Sequence, residues 1–97
     1  MPAALIYRIE QDFDDGAMVR MVIWKVSSPV PPSSHSHKYR LIYLENGKRV
    51  IGFDNERGKG DHRHEGDREY SYTFHDVATL IQDFIDAVKH RRSSCER

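Results

Sequence analysis

The residues best suited to chemistry lie in one polar run of eleven positions. It reads Asp54-Asn55-Glu56-Arg57-Gly58-Lys59-Gly60-Asp61-His62-Arg63-His64. His62 and His64 are two positions apart, so on an extended backbone their side chains point to one side and Arg63 points to the other. The pKa of imidazole lies near neutrality, which suits proton transfer. The run therefore predicts an acid–base site centred on the two histidines.

The cations of this run could hold a phosphate. Gly58 and Gly60 flank Lys59, and glycine lets the backbone approach a ligand closely. The spacing is not that of a Walker loop. In a metal-free ribonuclease, one histidine would take the proton of a ribose 2′-hydroxyl and the other would protonate the leaving oxygen. We predict the catalytic residues to be His62, His64, Asp54 and Asp61, and the substrate-binding residues to be Arg57, Lys59, Arg63 and Asn55.

Two other interpretations of the run stay open. His62 and His64, together with Asp54 or Asp61, offer imidazole and carboxylate ligands that suit Zn²⁺, Mn²⁺ or Fe²⁺. We expect no cofactor; if a divalent metal does bind, His62, His64 and Asp61 are the predicted ligands. The run is also compatible with an ordinary solvated loop. A second His-x-His pair, His35 and His37, is more typical of a surface loop.

Alternating and periodic apolar residues predict the elements that position this run. Strands are expected at 4–12 and 17–26, around the turn at 14–16, and at 38–44 and 49–54, around Asn46-Gly47. A fifth strand is expected where Tyr70, Tyr72 and Phe74 alternate with polar residues. Helical spacing from Val77 to Val88 follows, with Asp76 as the N-cap. The sequence predicts an α+β fold, an antiparallel sheet of about five strands (ββ-loop-ββ-loop-β) with one C-terminal amphipathic helix packed on one face.

The length and composition of the chain limit its number of domains, its partners and its location in the cell. The 97 residues predict a single α+β domain over 1–97, with a flexible Pro/Ser loop at 27–37 and a frayed tail at 93–97. Fifteen basic and fifteen acidic residues give zero net charge, which argues against a broad basic surface but permits a local basic cleft. The lone Cys95 fits a reducing compartment, and neither a signal peptide nor a membrane span is predicted. We expect a cytoplasmic protein.

Several segments together are similar to one protein family. They are Val22-Ile23-Trp24-Lys25-Val26 before the Pro/Ser stretch, Lys38 to Tyr43, Asn46 to Val50, the run from Asp54 to His64, Tyr72-Thr73-Phe74, and Leu80 to Phe84. They resemble the TumE family of toxin–antitoxin proteins, with Phe53 where the family pattern has a tyrosine. The resemblance implies a toxin held silent by a cognate antitoxin.

Two functional hypotheses follow from this resemblance and from the polar run. The first is a toxin that acts as an endoribonuclease on RNA through the His/Lys/Arg run. The second is a non-catalytic metal- or protein-binding assembly module. In that case the sheet face that carries Trp24 would build a homodimer, and we expect a homodimer in solution.

Overall fold

A six-stranded antiparallel sheet and one helix make up the protein. The computed structural model describes residues 3–95. The elements are β1 (Ala4–Asp12), β2 (Met18–Lys25), β3 (His37–Glu45), β4 (Lys48–Asp54), β5 (His62–Glu65), β6 (Arg68–Ser71) and α1 (Val77–Cys95). The strands lie side by side in chain order, so each pairs with its sequence neighbour. The predicted α+β fold with a C-terminal helix on one face of the sheet is confirmed, with six strands instead of about five.

The additional strand, β5, lies inside the polar run that was expected to be a loop. It pairs with β4 on one side and with β6 on the other. A turn at Gly66 and Asp67 joins β5 to β6, and Gly66 has a positive φ of 61°. Because β5 is polar on both faces, it lacks the apolar alternation that marks a strand. The expected fifth strand corresponds to β6, but β6 covers only Arg68–Ser71. Tyr72 and Phe74, which the sequence placed in that strand, lie beyond its end.

The two predicted hairpin turns are confirmed. Asn46 and Gly47 have φ values of 53° and 78°, which a type I′ turn between β3 and β4 requires. Gly16 has a φ of 90° in the turn between β1 and β2. There the backbone N–H of Ala17 donates to the Asp15 carboxylate at 3.0 Å. Both turns use residues that tolerate a left-handed backbone.

Helix α1 packs its apolar stripe on one face of the sheet. The backbone N–H of Thr79 donates to Asp76 Oδ1 at 2.7 Å, so Asp76 is the N-cap as predicted. The Phe84 ring meets the Phe53 ring edge-on, with 5.9 Å between centroids. The buried core comprises Ala17, Val19, Met21, Ile23, Tyr39, Leu41, Tyr43, Ile51 and Phe53 from the sheet side and Leu80, Phe84 and Val88 from the helix.

The C-terminal end of the chain is helical as far as Cys95. Residues 93–95, which the sequence assigned to a tail, therefore belong to α1, and residues 96–97 lie outside the described part of the chain. Across residues 3–95, no helix combines the length and the apolar character needed to cross a membrane.

The Pro/Ser loop before β3 is fastened to the turn that follows β4. The backbone N–H of Gly58 donates to the Pro31 carbonyl at 2.8 Å. The N–H of Val26 donates to the Ser36 carbonyl at 2.9 Å, which closes the base of the loop. Val30 and Ser33 are buried. The loop therefore packs beside the end of β4, next to the polar run.

Replacing Leu80 by alanine should destabilise the domain strongly. Leu80 is 0% exposed, and such a truncation costs about 2–5 kcal/mol through lost burial and an incompletely filled cavity. Urea unfolding followed by circular dichroism measures the change. Gln82→Ala, on the exposed side of the same helix, should shift the free energy of unfolding by no more than about 0.5 kcal/mol. Equal effects of the two substitutions would contradict the described helix orientation.

Candidate functional site

Two histidines and an aspartate meet on the sheet face opposite the helix. In the register of β4 with β5, Asp54 lies across from His62, and Gly52 lies across from His64. Directly opposed residues of antiparallel strands project to the same face. Phe53 and Arg63, the intervening pair, project to the helix side. The ligand-type atoms of Asp54, His62 and His64 all lie within 4.8 Å of one another.

A second carboxylate, Glu69, joins this group from the next strand. Glu69 lies across from His64 in the register of β5 with β6. His62 Nε2 is 2.8 Å from Asp54 Oδ1 and 3.2 Å from Glu69 Oε2. His64 Nε2 is 3.9 Å from Asp54 Oδ2 and 3.9 Å from Glu69 Oε2. These four residues, from three adjacent strands, are called the site cluster below.

The orientation of the His62 ring leaves one nitrogen facing the carboxylates. His62 Nδ1 is 2.9 Å from the Gly60 carbonyl oxygen, which can only accept a hydrogen bond. Nδ1 therefore carries a proton, and Nε2 faces Asp54 and Glu69. His62 is 6% exposed and Asp54 is 9% exposed. Despite the 2.8 Å contact, Asp54 Oδ1 has no hydrogen-bond partner among the described residues, which is costly for a buried polar atom.

Two arginines flank the site cluster and supply positive charge. Arg40 of β3 lies directly across from Asp54 and is exposed. The stem of Arg49 passes over Gly52, where an added Cβ would lie 3.0 Å from Arg49 Cδ. Burial, followed by the nearby Arg49 guanidinium, lowers the pKa of His64 below its ordinary value, although Asp54 and Glu69 oppose the shift. This shift favours the neutral form of the His64 imidazole.

Asp61 occupies a separate polar cluster that anchors the Pro/Ser loop. Its carboxylate accepts hydrogen bonds from Ser33 Oγ and, at 2.8 Å, from Tyr39 Oη. His35 Nε2 lies 2.6 Å from the same carboxylate, and the His35 ring stacks on Phe74 with 3.9 Å between centroids. Burial and the hydrogen bond to Asp61 raise the pKa of Tyr39, which keeps its hydroxyl a donor. Asp61 thus bonds to loop and core side chains.

The comparison with known families identifies the group to which the chain belongs. One family model, described as Toxin TumE, matches residues 2–92. The chain belongs to the TumE toxin family. No curated protein and no solved structure matches it. Within this TumE chain, the polar run that resembled the family contributes Asp54, His62 and His64 to the site cluster.

The other residues predicted from the polar run lie in different surroundings. Arg57 and Lys59 are exposed on the turn after β4. Arg63 lies on the helix side of the sheet, where its guanidinium is 5.5 Å from the Phe53 ring centroid and forms an ion pair with Glu65. Asn55 is 1% exposed. The structure thus gathers Asp54 with His62 and His64, and places Asp61, Asn55 and Arg63 elsewhere.

Sequence reasoning missed three residues of this surface: Glu69, Arg40 and Arg49. The position of Glu69 could have been inferred from the Gly66-Asp67 dipeptide, which favours a two-residue hairpin turn. That turn would have placed Glu69 across from His64. Arg40 and Arg49 lie on strands whose pairing was predicted, but their proximity to the histidines depends on β5 being a strand.

Asn55 fastens the start of β3 to the end of β4. Its amide oxygen accepts the N–H of Tyr39 at 2.9 Å, and its amide nitrogen donates to the His37 carbonyl at 2.7 Å. Its amide nitrogen also lies 3.5 Å from Ser33 Oγ. These contacts engage both ends of the buried side chain, which favours a structural role over contact with a substrate.

Replacing Asn55 by alanine should destabilise the domain. The Tyr39 N–H and the His37 carbonyl would lose their partner, and a buried polar group left unpaired costs about 1–3 kcal/mol. Chemical denaturation of Asn55→Ala gives the free energy of unfolding. Lys59→Ala, on the adjacent exposed turn, is the control and should change it by less than about 0.5 kcal/mol. An Asn55→Ala protein as stable as wild type would contradict this role.

Proposed function

We propose that this member of the TumE toxin family is the toxin of a toxin–antitoxin pair and that it acts as an endoribonuclease. The site cluster would be its active site, and a cognate antitoxin its regulatory partner. The observation that carries the proposal is the meeting of two imidazoles and two carboxylates beside Arg40 and Arg49 on one face of the sheet.

Cleavage of RNA places three demands on such a site. A base must take the proton of the attacking 2′-hydroxyl, an acid must protonate the 5′-oxygen as its bond to phosphorus breaks, and positive charge must stabilise the phosphate oxygens. The imidazoles of His62 and His64 can serve directly in proton transfer or hold a cation that activates the hydroxyl. Arg40 and Arg49 supply charge that attracts phosphate.

The charge distribution favours a confined contact with RNA. The net charge of the whole chain is zero, so long-range attraction of a polyanion is weak. Positive charge beside the site cluster would act at short range, on the phosphate that is being cut. Such a charge distribution supports a nuclease that contacts few phosphates. Its affinity for RNA would then fall only slightly as the salt concentration rises.

Removing both histidines should abolish toxicity and RNA cleavage. Induced expression of wild type should slow growth and fragment cellular RNA, whereas His62→Ala combined with His64→Ala should do neither, because the proposed proton transfer or cation binding is lost. Growth curves and RNA gels measure both effects. His75→Ala is the matched control, since His75 is exposed and lies outside the site cluster.

Three results bear on this proposal in different ways. Circular dichroism must show that the double variant is folded. A toxic double variant that still cuts RNA would overturn the assignment of the site. A wild-type protein that neither slows growth nor cuts RNA in purified form would overturn the ribonuclease proposal itself.

One observation favours the second candidate, an assembly module that homodimerises through the sheet. Val22, Trp24 and Ile42 are only partly buried and lie on the face opposite α1. Within residues 3–95, no helix packs on that face. A second copy could bury these side chains, and dimer interfaces are richer in apolar residues than the remaining surface.

Solution mass tests this second candidate. Light scattering should give the mass of a dimer for wild type and of a monomer for Trp24→Ala, since large aromatic side chains contribute most strongly to protein interfaces. Gln82→Glu, on the exposed side of α1, should leave the mass unchanged. A wild-type protein that remains monomeric at high concentration would contradict the dimer.

A further inference from the structure

We propose that Asp54, His62 and His64 bind one divalent transition-metal ion, with Glu69 as a further ligand. This inference goes beyond RNA cleavage, because the three side chains can hold an ion whether or not the protein is a nuclease. It also replaces the ligand set expected from the sequence: Asp54 takes the place of Asp61, whose carboxylate bonds to Ser33, His35 and Tyr39.

The separations between donor atoms suit a shared ion. Bonds of about 2.1 Å from nitrogen or oxygen to a tetrahedral ion place two ligand atoms about 3.4 Å apart. His62 Nε2 lies 2.8 Å from Asp54 Oδ1 and 3.2 Å from Glu69 Oε2. The distances from His64 Nε2 to Asp54 and Glu69 are 3.9 Å. The widest departures among these pairs are about half an ångström from that separation, and the ligand atoms of Asp54, His62 and His64 all lie within 4.8 Å of one another. Side-chain rotation could therefore bring them around one ion.

The state of the His62 ring points to the same conclusion. Its Nδ1–H donates to the Gly60 carbonyl, an arrangement typical of metal-bound histidines because it fixes the tautomer and the ring orientation. The ring nitrogen left to bind an ion is then Nε2. This nitrogen lies beside the Asp54 and Glu69 carboxylates, so imidazole and carboxylate donors converge on one small volume.

The unpaired oxygen of Asp54 is the independent observation. Asp54 Oδ1 is inaccessible, has no hydrogen-bond partner among the described residues and lies 2.8 Å from His62 Nε2. A proton on His62 Nε2 could pair with this oxygen only if the N–H pointed at it. The contact between the two atoms does not have hydrogen-bond geometry. An ion between the two atoms would satisfy both, since it accepts electron pairs from several directions.

The donor set indicates which ion binds. Two imidazole nitrogens and one carboxylate suit Zn²⁺, Fe²⁺ or Mn²⁺, whereas Mg²⁺ and Ca²⁺ prefer ligand sets made of oxygen atoms. Among the first group, affinity generally increases from Mn²⁺ to Zn²⁺. We therefore expect Zn²⁺ to bind more tightly than Mn²⁺, and Mg²⁺ to bind weakly.

The absence of a side chain at Gly52 leaves room for the His64 imidazole beside Asp54. A side chain at this position would point to the same face as His64, and an added Cβ would lie 3.6 Å from His64 Cδ2 and 3.0 Å from Arg49 Cδ. Glycine thus leaves the imidazole and the arginine stem room beside each other. The positive charge of Arg49 opposes cation binding, and the negative charges of Asp54 and Glu69 offset it.

Calorimetric titration tests the inference directly. The tag-free 97-residue chain, stripped with a chelator, is titrated with ZnCl₂, MnCl₂ and MgCl₂. Its melting temperature is measured with and without Zn²⁺. Wild type should bind one Zn²⁺ and melt at a higher temperature with it, because an ion that binds the native state stabilises that state. Asp54→Asn and His64→Ala should each weaken Zn²⁺ binding by at least about tenfold.

The controls separate this site from incidental binding by histidine. His75→Ala should bind Zn²⁺ as wild type does. Asp54→Asn keeps the size of the side chain, and its melting temperature without Zn²⁺, equal to that of wild type, shows that a loss of binding is not due to misfolding. The inference is overturned if wild type binds no stoichiometric Zn²⁺, if Asp54→Asn and His64→Ala bind as tightly as wild type, or if Mg²⁺ binds more tightly than Zn²⁺.

The same preparations distinguish metal binding from RNA cleavage. Stoichiometric Zn²⁺ binding without any nuclease activity would leave the metal site in place and remove the ribonuclease proposal. RNA cleavage by a chelator-treated protein that binds no Zn²⁺ would do the reverse.

Discussion

The antiparallel register between β4 and β5 is the constraint on which the site cluster depends. It places Asp54 across from His62 and Gly52 across from His64. Because side chains alternate between the two faces of a strand, a shift of one residue would turn both histidines toward the helix and bring Arg63 to the site. The buried contact of Phe53 with Phe84 opposes such a shift in β4, and the hydrogen bonds of Asp61 with Ser33 and Tyr39 oppose it at the start of β5.

Strand β4 serves the core and the site at the same time. Ile51 and Phe53 are buried against the helix side, while Gly52 and Asp54 alternate with them on the other face. Packing of the first pair therefore determines where the second pair lies. Truncation of either buried side chain of β4 would therefore lower the stability of the fold and also disturb the geometry of the site. Because β4 is an inner strand of the sheet, it holds Asp54 more precisely than a loop would.

Most of the scaffold could be predicted from local sequence, and the site only in part. The Asn46-Gly47 turn, the N-cap at Asp76 and the apolar stripe of α1 each depend on residues close together in the chain, where propensity and period are informative. The nearness of Asp54 to the histidines depends on pairing of a strand that is polar on both faces. Glu69 and Arg49 were not predicted as site residues for the same reason. Their position beside His64 depends on pairing between strands and not on any single segment.

The hairpin of β5 and β6 carries three of the four members of the site cluster at the edge of the sheet. Each of its strands has four residues, and β6 is exposed along its whole length. Edge hairpins of this size open locally at a smaller free-energy cost than the core. The site cluster can therefore open locally while β1 to β4 and α1 remain folded. A partner that pairs with the edge of β6, or a ligand that bridges His62 and Asp54, would change the frequency of this opening. A ligand that binds only the closed arrangement would also stabilise the hairpin.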